Sequence, residues 1–222
     1  MTAFLLPLFA VIVGFLIALV LKPSISNKVN LLLSFSGAFL LSTIIFESLP
    51  EVYINKDHNV GIFIVAGLLM QILLEFSSKG AEHGHTHQKD TASFPWLLFI
   101  SLSIHALIEG FPVSENDHML YGIVVHKLPI AIIISSFLLA SKIKLWKSIV
   151  FIIGFALMTP SGSYINQQAF ILDSYKIPIN AFVIGVLLHV STTILFESSR
   201  NHQFNASKLA VIILGFIIAY YL

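Results

Sequence analysis

His105 and Glu109 stand four residues apart in the apolar stretch Ser101–Gly110. On a helix that spacing stacks them on one face, about 6 Å apart in height. A short polar turn follows, and a second apolar stretch, Gly122–Ala131, carries His126 and Lys127. Ionisable side chains inside a membrane span are costly and mark function by default. From His105 to the expected helix end at Val113 is about 12 Å of rise, and from the expected start at Met119 to His126 about 10 Å. The two helices run in opposite senses, so both imidazoles come to nearly the same depth. Imidazole and carboxylate at one depth suit zinc and its neighbours. A buried structural pair satisfied by hydrogen bonds is the alternative for any intramembrane His.

His-x-x-x-Glu-Gly at 105–110 and His-Lys-x-x-x-Ala at 126–131 together resemble the paired signature of the ZIP (Zrt-, Irt-like) divalent metal transporters, and Phe155–Gly162, with its Thr159-Pro160, resembles the sixth-helix motif of one branch. That branch includes fungal and plant plasma-membrane members. The resemblance implies a three-two-three helical fold and a transport site made of His105, Glu109 and His126. Relatives that hold two adjacent metals have an acidic or amide residue where this chain has Lys127, a carboxylate at Ile130 and Asn at Ala106. Three oxygen ligands fewer and one positive charge more predict a single bound ion, with the Lys127 ammonium in the electrostatic place of a second. Glu109 is the expected partner of that ammonium; snorkelling to the outer face is the alternative.

The elements that position these groups are apolar runs. The 222 residues are 57% hydrophobic and only 10% charged, which fits a polytopic membrane protein. There is no Cys, which excludes disulfides and thiolate metal sites. Runs of roughly spanning length lie at about 3–21, 30–49, 60–77, 95–113, 119–140, 146–164, 178–197 and 207–222. The expected fold is all-α: eight transmembrane helices in one domain over 1–222. The first basic residue, Lys22, follows the first run, so that run reads as a retained helix rather than a signal peptide.

Nine basic residues (Lys22, Lys28, Lys79, Lys89, Lys142, Lys144, Lys147, Arg200 and Lys208) follow the odd-numbered runs up to the seventh. Only Lys56 and Lys176 lie in the alternate loops. The positive-inside rule then puts both termini outside. The outer loops carry Glu51, Asp57, Glu115, Asp117 and Asp173, an acidic face that would concentrate cations. Ser42–Ser48 at the end of the second run is similar to Thr192–Ser198 at the end of the seventh. Those runs cross in opposite senses, as in an inverted repeat relating the first three helices to the last three.

Further candidates flank the central site. Glu47 and Glu51 bracket Pro50 and could collect cations at an entrance, or be ordinary interfacial acids. His189 and Glu197 could line an exit route; the plain alternative for His189 is a core imidazole bonded to Ser or Thr. The segment at about 78–94 bears His83, His85 and His87, which could hold a metal loosely or belong to a solvated linker. The expected activity is not enzymatic. It is transport of zinc, or of Fe2+, Mn2+ or Cd2+, into the cytoplasm, with the ion and the lipid bilayer as partners and no nucleic acid. A homodimer is the oligomer to test for, and brief loops suit a bacterial inner membrane. No Gly-x-x-x-x-Gly-Lys motif is present to couple transport to ATP. The rival readings are an intramembrane zinc hydrolase, with metal-bound water as nucleophile, and a structural or sensing metal site.

Overall fold

The computed structural model describes residues 2–21, 27–54, 59–78, 93–114, 117–168, 175–197 and 206–222. Among them all regular structure is helical, with no strand. The helices are α1 (Thr2–Leu21), α2 (Asn27–Thr43, continued through a π turn at Ile44–Ser48 into Leu49–Tyr53), α3 (Val60–Ser78), α4 (Trp96–Glu109), α5 (Asp117–Ala140), α6 (Leu145–Gln168), α7 (Lys176–Glu197) and α8 (Ala206–Tyr221). Five, namely α2, α3, α5, α6 and α7, are long and apolar enough to cross a membrane. The apolar parts of α1, α4 and α8 are shorter, at 10–17 residues.

Two boundaries differ from the runs of the sequence, each for a backbone reason. The fourth run was expected to continue to Val113, but α4 stops at Glu109 and is followed by a 3-10 turn at Pro112–Ser114. Pro112 has no N–H to continue the ladder and disfavours helical backbone at Phe111. The second run extends beyond residue 49 to Tyr53, past Pro50. Pro50 cannot donate to Phe46, and its ring would press on that carbonyl. The π turn, closed by the Leu49 amide on the Ile44 carbonyl, widens the helix there and lets it continue.

The outside of the bundle is apolar. Leu5, Phe9, Ile12 and Leu16 of α1 and Ile62, Val65, Leu69 and Phe76 of α3 are exposed. Such faces are the natural surface against lipid tails and a liability in water. The polar side chains instead turn inward: Gln71, His105, Glu109, His126, Lys127 and Thr159 are all buried.

The helices pack chiefly as α3 with α7, α1 with α5, α2 with α8 and with α5, and α4 with α6. At two crossings a pair of glycines brings backbones into direct contact. A Cβ on Gly67 of α3 would overlap the Phe182 carbonyl, and one on Gly185 of α7 would overlap that of Ile64. Gly110, just past α4, and Gly162 of α6 form the second reciprocal pair, against the Thr159 and Leu107 carbonyls. Small residues permit this approach where lipid provides no hydrophobic drive for helix association. Lys208, counted above among the loop cations, lies in the first turn of α8, buried, and donates to the Leu195 carbonyl at 3.0 Å.

Candidate metal site

The early end of α4 places Glu109. The Gly110 amide bonds to Leu107 at 3.2 Å, a tightened last turn. The Ala106 carbonyl thereby lacks its usual helical donor. Thr159 of α6 supplies one: its hydroxyl lies 3.0 Å from the Ala106 carbonyl and 3.0 Å from Glu109 Oε1, and shares its proton between them. The Gly110–Gly162 crossing brings Thr159 close enough for this. Asn166 Nδ2 donates to the Phe111 carbonyl at 3.1 Å and ties down the turn beyond.

From α5 come His126 and Lys127. The Lys127 ammonium pairs with Glu109 Oε1 at 2.5 Å and lies 4.4 Å from the centre of the Phe155 ring. It is almost fully buried and does not snorkel. The two carboxylate oxygens of Glu109 therefore differ. Oε1 is held by Lys127 and Thr159, while Oε2 faces His105 Nε2 at 3.4 Å and has no other hydrogen-bond donor among the described residues. The His105 and His126 rings are 6.3 Å apart, edge to face.

His105, Glu109 and His126 each bring one ligand atom to within 4.8 Å of the others, and all three are buried. A tetrahedral zinc ion with ligands at 2.0–2.1 Å holds them about 3.3 Å apart. His105 Nε2 and Glu109 Oε2 already stand near that separation. With neutral imidazoles the cluster carries one negative and one positive charge.

Of the flanking candidates, Glu51 is exposed and lines a cleft with Ser48, Met119 and Asn180. Glu47 is half-buried in the π turn and is not part of the triad. His189 has the Thr neighbour of its plain alternative, and a shorter contact beside it. Its shortest polar contact is to Glu75 of α3, with Nε2 2.6 Å from Oε2; Thr193 is 3.5 Å away. An acid on α3 is not among the partners that the sequence suggests for His189. Glu197 closes α7, and its side chain lies outside the described residues, as do His83, His85 and His87.

Three residues near these groups were missed. Gln71 Oε1 lies 3.2 Å from His105 Nδ1, Glu75 meets His189, and Thr159 holds Glu109. Gln71 and Glu75 are four apart in an apolar run, the same signal that singled out His105 and Glu109. Thr159 lay within a recognised motif but was given no role. Comparison with protein-family models and with curated proteins finds no match to this chain.

Proposed function

We propose that this protein is a carrier that moves a divalent metal ion, zinc foremost, across a membrane into the cytoplasm, with His105, Glu109 and His126 as its transport site. The observation that carries the reading is the meeting of two imidazoles, a carboxylate and an ammonium in the buried centre of an apolar-surfaced bundle. Three ligands completed by water suit an ion that must be released, since a closed four-ligand cage belongs to structural zinc.

Lys127 supports a single ion. Its ammonium lies against the carboxylate oxygen that a second metal would need. Two zinc peaks per protomer in anomalous scattering would overturn that part. The motif resemblance to ZIP transporters and the basic-loop asymmetry support inward transport with both termini outside.

The helix pairings support an inverted repeat over eight crossings. If α1–α3 relate to α6–α8, with α4 and α5 exchanged, the α2–α8 pair maps onto α7–α3 and the α1–α5 pair onto α6–α4. All four pairings are present. A hydrolase, by contrast, must admit a lipid or peptide to its metal, whereas these ligands are buried below the surface.

The test is zinc uptake by proteoliposomes containing the wild type, His105→Ala or Glu109→Ala. The expected result is uptake by the wild type, lost in both variants while they remain folded. Uptake that persists in both variants, or zinc binding without any crossing, would sink the proposal.

A further inference from the structure

Gln71 is wholly buried on α3, one helical turn beyond the Gly67–Gly185 crossing that presses α3 onto α7. Its side chain reaches across to α4, where Oε1 lies 3.2 Å from His105 Nδ1. A side-chain carbonyl only accepts, so a hydrogen bond there requires the imidazole proton on Nδ1. The other ring nitrogen, Nε2, then carries a lone pair. It points at Glu109 Oε2, 3.4 Å away, and no other described residue donates a hydrogen bond to that oxygen. With that tautomer two lone-pair atoms face each other, an arrangement that repels by itself and that a cation between them turns into attraction. The second carboxylate oxygen is already taken by Lys127 and Thr159.

We propose that Gln71 is a positioning residue: it holds the His105 proton on Nδ1 and so makes Nε2 the nitrogen that binds the ion. This rests on the transport-site reading above for its use, but not for its test. The opposite orientation of the amide has the opposite consequence. A Gln71 that presented its NH2 to Nδ1 would put the proton on Nε2, where it would bond to Glu109 and make His105–Glu109 an inert structural pair. The tautomer of His105 therefore separates an ion-ready site from a structural one. A carbonyl behind a ligating imidazole also raises its basicity, and loss of such a partner commonly costs roughly 10–100-fold in metal affinity.

The experiment is 15N NMR of histidine-labelled, metal-free protein in lipid nanodiscs, at a pH where the imidazoles are neutral. The His105 signals are identified by their loss in His105→Ala. The expected wild-type pattern is a protonated Nδ1 and a bare Nε2. Gln71→Leu is expected to shift the proton toward Nε2 and to weaken zinc binding roughly 10–100-fold in a competition titration. Gln71→Glu keeps an acceptor at the same reach and is expected to restore the Nδ1–H pattern, a rescue that bulk packing would not provide. A wild-type His105 protonated on Nε2 overturns the proposal, whatever the variants do. So does a Gln71→Leu protein whose tautomer is unchanged. Because the spectrum is read without metal, failure of the protein to carry zinc leaves this result standing. A protein that transports with the wrong tautomer refutes this proposal alone.

Discussion

Lys127→Met is expected to tighten zinc binding and slow transport. The ammonium is 2.5 Å from Glu109 Oε1. An ion bound to Oε2 at zinc–oxygen distance would lie roughly 5–6 Å from Nζ. At an effective dielectric constant of about 20, a divalent ion and an ammonium at that separation repel by about 6 kcal/mol. Part of this is offset in the variant. Without its counter-charge the buried carboxyl takes up a proton, and zinc must displace it. If half the repulsion survives as a gain in affinity, about 3 kcal/mol remains, or roughly a hundredfold in Kd. The assay is a zinc competition titration of detergent-solubilised protein with proton release followed in parallel, then uptake into proteoliposomes. Tighter binding, more protons released per zinc and slower turnover are expected together; Lys127→Arg, which keeps the charge, should bind zinc much as the wild type does. Unchanged or weaker zinc binding in a folded Lys127→Met protein would refute the argument that this ammonium opposes the ion.

Thr159→Val removes the hydroxyl shared by the Ala106 carbonyl and Glu109 Oε1; it should cost about 1–3 kcal/mol of stability, seen as a lower melting temperature. Gly162→Ala drives a Cβ into the Leu107 carbonyl; separation of α4 from α6 should cost about 1–3 kcal/mol and abolish uptake, while Gly61→Ala, with only the Tyr53 hydroxyl in ordinary contact, should change neither. Glu75→Gln removes the charge from the pair with His189; it should lower stability by about 1–2 kcal/mol and leave zinc affinity at the central triad unchanged, as the same titration would show.

The central triad was legible because its signals are local or countable. His105 and Glu109 are one turn apart on one helix, and His126 reaches their level by counting from a short turn. What the count could not show is which side chain fills the space behind each ligand. Gln71 is 34 residues from His105 and Glu75 is 114 from His189. Each of these pairs depends on how α3 is seated, and that seat is set by the Gly67–Gly185 crossing. Nothing in the sequence says that these two glycines, 118 residues apart, oppose each other. The end of α4 was masked differently. Phe111 and Val113 keep the run apolar past Gly110, so hydropathy continues where the backbone, stopped by Pro112, does not.

The packing also says which parts must move if the triad is to load and unload. Two apolar clusters enclose it. One, with Leu102, Ala106, Ile130 and Phe155, draws on α1, α2, α4, α5, α6 and α7; the other, with Leu40, Ile44, Met119, Ile123 and Ile184, joins α2, α5 and α7. An ion cannot pass such layers as bare charge, so helices must separate. The backbone contact at Gly110–Gly162 makes α4 and α6 hard to part, and α5 is seated on α1 through Gly14, where a Cβ would press on Ala131. The ligands are divided between these two pairs: His105 and Glu109 ride with α4 and α6, His126 and Lys127 with α1 and α5. Sliding one pair against the other would draw His126 and the ammonium away from Glu109 in a single step. That motion takes a ligand from the ion and the counter-charge from the carboxylate together, and it leaves Glu109 buried without its partner. Because His126 and Lys127 are adjacent in sequence, such a displacement couples loss of a ligand, which weakens the hold on the ion, to loss of the competing charge, which strengthens it.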